Sequence, residues 1–219
     1  MKVLAVIPAY RAAAFVGDVV GRCKPLVSEV LVVDDGSNDD TCVVAEKAGA
    51  IVDCHLFNKG KGAALKTGFK NALKTNYDVV ITLDADGQHD PAQIPLFLNK
   101  YESSGADLII GSRVGNVGGM PWQRRCSNYL TKHVLSYLLD EKIEDLQSGF
   151  RLIRVDLLKS IELVSNRYEL ETEIVIKAIR SGFKIDYVPI EALYDGKIPT
   201  SVRGWVDTFR WISMVMEMI

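Results

Sequence analysis

Short uninterrupted apolar runs alternate along this chain with segments whose apolar residues recur every three or four positions. Lys2 to Pro8 carries Val-Leu-Ala-Val-Ile and ends in a turn, the form expected of a parallel strand covered on both faces. Val30 to Val33, Ala50 to His55, Val79 to Leu83 and Leu108 to Ile110 read as further strands. Between them, Ala13 to Cys23 and Asn38 to Ala48 read as helices, the second opened by Ser37 or Asn38 as capping residue. Gly62 to Lys74 has Ala64, Leu65, Phe69, Ala72 and Leu73 at helical spacing, and Ala92 to Ser103 reads as a fourth helix. This alternation predicts an α/β domain with a Rossmann-like, mostly parallel sheet flanked by helices on both faces. From Val202 to Ile219, the stripe Trp205, Val206, Phe209, Ile212, Val215, Met216 and Ile219 predicts an amphipathic C-terminal helix. The expected organisation is one domain over residues 1–201, then an interface or membrane-surface helix over 202–219.

Composition narrows the picture. An apolar fraction of 48% over 219 residues supplies ample core for one domain. No apolar run approaches the ~20 residues of a membrane-spanning helix. The N-terminus runs directly into a strand, which reads as a chain without a signal peptide. A formal net charge of −2 argues against broad nucleic-acid binding. Cys23, Cys42, Cys54 and Cys126 contain no Cys-x-x-Cys pair, and they read as reduced thiols of a cytosolic protein rather than a zinc site.

The polar residues able to do chemistry fall just beyond the strands, where open α/β sheets bind ligands. Asp84, Asp86 and Gln88 occupy every second position after the run Val79 to Leu83. On an extended segment alternate side chains share a face, so three hard oxygen donors can converge on one cation. Such donors suit Mg²⁺ or Mn²⁺, and so few protein ligands leave room for substrate phosphates. An acidic turn capping the helix near Pro91 accounts for the same residues without a metal. His89 reads as a local hydrogen-bonding residue more readily than as a ligand, and His55 and His133 have no recognisable partners. No Gly-x-Gly-x-x-Gly follows a strand, which argues against a dinucleotide-dependent dehydrogenase. Pro8-Ala9-Tyr10-Arg11 is not the glycine-rich phosphate loop of a nucleotidyltransferase.

Several of these loops together resemble the family 2 inverting glycosyltransferases of GT-A fold, and within them the dolichyl- or polyprenyl-phosphate subgroup of the dolichyl-phosphate mannose synthase type. The matching pieces are Ile7-Pro8-Ala9-Tyr10, Val33-Asp34-Asp35-Gly36-Ser37, Asn58-Lys59-Gly60-Lys61-Gly62 and Asp84-Ala85-Asp86-Gly87-Gln88-His89. Gly111-Ser112-Arg113, the stretch Asp145 to Arg151, and Glu173 ahead of Tyr187-Val188-Pro189-Ile190 follow in order. The resemblance implies metal-dependent transfer of a hexose from a nucleoside diphosphate sugar, of the GDP-mannose or UDP-glucose type, to a polyprenyl or dolichyl phosphate. It implies that Pro8, Ala9, Tyr10, Asp34 and Asp35 line the base and ribose and that Lys59 approaches the diphosphate. Asp84, Asp86 and Gln88 would hold Mg²⁺ or Mn²⁺, with Asp86 at the reacting centre. A lipid phosphate is already ionised near neutral pH and needs cationic positioning rather than a base. That role falls to Arg113 and to Arg124 or Arg125.

The segment Val114 to Met120 is glycine-rich and reads as a loop that closes over substrate. Where the subgroup often carries a Ser-Lys pair, this chain has Ser201 and Arg203, a basic residue still within reach of the diphosphate. The Gln-x-x-Arg-Trp motif of processive polysaccharide synthases is missing, which argues against polymer synthesis. Two alternatives stay open. One keeps the donor but uses a saccharide or soluble hydroxyl acceptor with Asp145 as base, although the Asp-x-x-Ser-Gly-Phe context fits a structural or sugar-contacting role better. The other is a non-catalytic nucleotide-sugar-binding module. Glu173 is read as orienting an arginine or the sugar, or as part of an exposed face. The C-terminal helix is read as peripheral contact with the cytoplasmic membrane face, or as docking onto the domain or a homodimer partner.

Overall fold

The computed structural model of the chain describes residues 1–112, 133–146, 148–191 and 215. Seven strands form one sheet: β1 (Val3–Ala9), β2 (Glu29–Asp34), β3 (Ile51–Cys54), β4 (Val79–Thr82), β5 (Leu108–Ser112), β6 (Arg151–Arg154) and β7 (Ile185–Pro189). Their order is β3-β2-β1-β4-β6-β5-β7. β1 pairs in parallel with both β2 and β4, so the winding direction reverses between β1 and β4 and leaves a crevice at their carboxyl ends. β6 runs antiparallel between β4 and β5, and β7 is parallel to β5. One edge of the sheet therefore collects the carboxyl ends of six strands and the amino end of β6.

The described helices are α1 (Val16–Cys23), α2 (Thr41–Lys47), α3 (Lys61–Lys74), α4 (Ile94–Ser104), α5 (133–139), α6 (Val155–Ser160) and α7 (Glu169–Arg180). They cover both faces, which is why β1 is buried at every position and reads as a continuous apolar run. Leu4 and Val6 pack with Leu65 and Phe69 of α3 and Ile174 of α7. Ala5 and Ile7 pack on the opposite face with Val16 and Val20 of α1 and Phe97 of α4. Val215, the described residue of the C-terminal stretch, is buried in the first of these clusters.

Three local features differ from the sequence-based expectation. α1 begins at Val16 because Ala12 donates its N–H to Thr41 Oγ1 at 2.9 Å and its carbonyl accepts from Phe15 and Val16, a turn that occupies residues 12–15. α2 begins at Thr41, since Ser37 is engaged by the Asp34 carboxylate and Asp39 takes the Thr41 N–H at 3.2 Å. Cys42 and Cys54 are disulfide-bonded, 12 residues apart, whereas the spacing had read as separate reduced thiols. Their elements are brought together by the β2–β3 pairing, a tertiary contact with no Cys-x-x-Cys pattern to announce it. Among the described residues Cys23 is a buried free thiol, and burial pushes its pKa up to about 12.

Candidate active site

At the β1–β2 corner, Pro8 and Ala9 are buried and Tyr10 is 45% exposed at the rim. Arg11 holds a left-handed φ of 53° and donates its N–H to Ser37 Oγ at 2.8 Å, which ties the first loop to the second. Asp34 is 2% exposed and accepts from the Ser37 N–H at 3.1 Å and from the Ser37 hydroxyl. Asp35 is equally buried, and its oxygens accept from Lys59 N at 2.9 Å, Gly60 N at 2.7 Å and His55 Nδ1 at 2.8 Å. His55 Nε2 lies 2.9 Å from Thr67 Oγ1, so the histidine has definite partners on both sides of its ring. Asp35 thus spans the loops after β2 and β3, with its carboxylate committed to protein donors. Gly36, at φ 74°, lets the second loop press against the backbone of Phe57 and Asn58, where a Cβ would collide.

The acidic residues lie at the end of β4. Lys61, in the first turn of α3, places Nζ 2.6 Å from Asp84 Oδ1 and 2.9 Å from Glu171 Oε1 of α7. Burial opposes its charge, yet the two carboxylates hold the Lys61 ammonium well above its usual pKa. Asp86 moves the other way for a carboxylate: burial first, and the Asp84 charge second, push its pKa up. Its Oδ1 accepts the Gln88 N–H at 2.9 Å. The Asp84 N–H donates to His89 Nδ1 at 3.1 Å, so that nitrogen serves as an acceptor within the turn. Asp84, Asp86 and Glu171 bring three carboxylates to the corner where Lys61 Nζ meets Asp84 and Glu171. Carboxylate oxygens are hard donors of the kind that Mg²⁺ or Mn²⁺ takes.

Neither Lys61 nor Glu171 was singled out by sequence reasoning, which gave the cationic role to Lys59. Lys59 is exposed, with Nζ 5.4 Å from the centre of the Phe57 ring. Gly149 closes the pocket floor: a Cβ there would lie 2.9 Å from Lys61 Nζ, 3.0 Å from Glu171 Oε1 and 3.1 Å from Asp84 Oδ1. Thr82 Oγ1 donates to the Gly149 carbonyl at 2.7 Å and holds that backbone against β4. Behind it, the fully buried Arg151 donates Nε to Ser148 O and Nη2 to Leu146 O, each at 2.7 Å, and Nη1 to Glu171 O. One guanidinium therefore positions Leu146 and Ser148 together with the start of α7.

Glu173 is fully buried and accepts from Val164 N and Ser165 N, each at 2.8 Å, and from Lys177 Nζ at 2.7 Å. Burial opposes its charge, but the Lys177 and backbone hydrogen bonds prevail and hold the carboxyl below its ordinary pKa of 4.5. A depressed carboxyl stabilises the fold above its unfolded pKa, and that contribution disappears as pH falls through the folded value. Glu173→Gln is therefore expected to cost about 2 kcal/mol at pH 7. Urea unfolding at pH 7 and pH 3 checks this, because the deficit must shrink in acid. Asp145 is 2% exposed. Arg113, Arg124, Arg125, Ser201, Arg203 and the 114–120 segment lie outside the described residues.

With this geometry in view, comparison with known proteins is specific. The model of the family described as Glycosyl transferase family 2 matches residues 4–162. The polyprenol monophosphomannose synthase of Mycolicibacterium smegmatis is 34% identical over 204 residues, covering 86% of this chain and 76% of that protein. The undecaprenyl-phosphate mannosyltransferase of Micrococcus luteus is 33% identical over 230 residues, covering 96% and 94%. Among solved structures, glucosyl-3-phosphoglycerate synthase of Mycobacterium tuberculosis, in complex with Mn²⁺, uridine diphosphate and phosphoglyceric acid, aligns with a TM-score of 0.74 at 21% identity. That alignment covers 99% of this chain and 76% of the other, and it is a likeness of fold.

Proposed function

The chain belongs to glycosyl transferase family 2 and is a glycosyltransferase, and we propose that it moves a hexose from a nucleoside diphosphate sugar to a polyprenyl phosphate with inversion at the anomeric carbon. The observation that carries this reading is the acidic pair Asp84 and Asp86, with Lys61 against Asp84, at the β1–β4 switch point beside the loops of β2 and β3. The polyprenol and undecaprenyl-phosphate chemistry named for the two relatives supports the acceptor.

In this reading Asp84, Asp86 and Gln88 hold Mg²⁺ or Mn²⁺, which when bound supplies positive charge to the departing diphosphate. Lys61 holds Asp84 in place and adds a fixed positive charge at the same corner. Tyr10 and the 35–37 loop, braced by Asp35, face the nucleoside. An oxygen of the lipid phosphate forms its bond to the anomeric carbon as the bond to the diphosphate breaks. No proton need be removed, so the acceptor site requires cations rather than a base. Arg113 with Arg124 or Arg125 holds the acceptor phosphate, and Ser201 and Arg203 approach the diphosphate. The burial of Asp145 supports a structural role over that of a base for a hydroxyl acceptor. Peripheral contact with the cytoplasmic membrane face through the apolar stripe of residues 202–219 is part of the same proposal; among the described residues no helix is long and apolar enough to cross a membrane.

The direct test supplies purified protein with radiolabelled GDP-mannose or UDP-glucose, polyprenyl phosphate, and either Mn²⁺ or EDTA. Metal-dependent label in the lipid fraction, with one donor preferred, is the expected result. Folded protein that labels no lipid from either donor would sink the proposal.

A further inference from the structure

The Cys42–Cys54 bridge joins the first turn of α2 to the last residue of β3. It lies on the nucleoside side of the site: Cys54 is the register partner of Asp34, and Cys42 Sγ is 3.2 Å from Asp34 Oδ2. Cys54 is exposed and Cys42 half-buried, so a reagent reaches the bridge from solvent. Cys23 is buried and protonated, and stays out of such chemistry. We propose that Cys42 and Cys54 form a thiol–disulfide exchange site, reacting with external thiols and disulfides, whose oxidised form holds the donor pocket ready for the nucleoside diphosphate. This rests on the donor reading of the β2 and β3 loops given above.

The exchange is balanced by the external reagent. A thiolate attacks Cys54 Sγ, the sulfur–sulfur bond breaks, and its electron pair passes to Cys42 Sγ, which takes a proton from water. A second external thiolate attacks the first on the mixed disulfide, releasing Cys54 as a thiolate that is then protonated. The protein disulfide gains two electrons and two thiols become a disulfide; the reverse sequence re-forms the bridge.

The consequence for the site follows from which segments the bridge joins. When oxidised, it links the strand entering the 55–60 loop to the helix leaving the 35–40 loop. These two loops already meet through Asp35 and through the contact of Gly36 with Phe57 and Asn58. When reduced, the Cys42 thiol carries a proton that it can donate to Asp34 Oδ2, the oxygen that also accepts the Ser37 N–H. The loops then lose their covalent tie, and ordering them is charged to ligand binding.

The experiment measures the Kd of UDP and GDP with Mn²⁺ by calorimetry, for the whole chain equilibrated with reduced or oxidised dithiothreitol. Alkylation and mass spectrometry report the state of Cys42 and Cys54. The expected result is roughly fivefold tighter binding by the oxidised protein. Cys42→Ser/Cys54→Ser is expected to bind like the reduced protein under both conditions. Equal affinity in both states with the bridge verified, failure of the bridge to form, or a redox response that persists in the double variant would each overturn the proposal. Equal but measurable binding would leave the donor reading standing; no binding of either nucleotide in either state would remove both.

Discussion

Asp86→Asn is expected to lower sugar transfer by about a thousandfold while leaving the protein folded and slightly more stable. Asparagine keeps the volume and the oxygen that accepts the Gln88 N–H at 2.9 Å, so the turn has no reason to rearrange. What disappears is a carboxylate charge that a divalent ion would take as a ligand. The stability change has the opposite sign for the same reason. Burial and Asp84 raise the Asp86 pKa in the folded state, which means that its charged form opposes folding at neutral pH. Transfer assays, Mn²⁺ titration and thermal melts on the one variant check all three quantities. If the trio were only a helix-capping turn, the variant would lose stability and keep wild-type metal affinity. That outcome would remove the metal reading.

Arg151→Met is expected to cost about 4 kcal/mol, because truncation strands buried carbonyls that the guanidinium now satisfies. For a domain of this size that corresponds to a fall in Tm of roughly 10 °C. Ser148, Leu146 and Glu171 supply those carbonyls, so the damage falls on the segments that carry Gly149 and the Glu171 carboxylate. Residual transfer by the folded fraction is therefore expected to drop as well. Arg151→Lys keeps the charge but cannot fork to three acceptors, and it is expected to recover only part of the loss. A melt of Arg151→Met within 2 °C of wild type, on the order of the smallest shift one kcal/mol produces, would refute the role given to this residue.

The alternation of strands and helices up to Leu108–Ser112 was legible because strands covered on both faces must be apolar at every position. β1 illustrates this: seven consecutive buried residues, with no polar position to blur the signal. β6 was not legible. Its four residues, Arg-Leu-Ile-Arg, offer two apolar positions between arginines, and its antiparallel place between β4 and β5 depends on partners far along the chain. The acidic trio was recognisable from its spacing, whereas the cluster that surrounds it was not. Gly60-Lys61-Gly62 reads as a turn, and Glu171 reads as one more acidic residue in a helical segment. Only the packing of α3 and α7 on the same face of the sheet brings Lys61 between Glu171 and Asp84.

Local chemistry along the chain thus determined the parallel α/β architecture, and it marked the loops and the oxygen-rich Asp84–Gln88 motif for which a donor site and metal binding are proposed, since each depends on residue type and short-range period. Tertiary structure alone decided what each polar group is occupied with. Asp34 and Asp35 are neighbours of identical type, yet Asp35 ties two loops together while Asp34 meets Ser37 and the cysteine bridge. Two lysines two positions apart divide in the same way, Lys59 to the surface and Lys61 to the carboxylates of half-buried Asp84 and buried Glu171. The physical reason is that a charge in a folded chain is governed by what lies within a few ångströms of it, and in this sheet those neighbours come from segments distant in sequence.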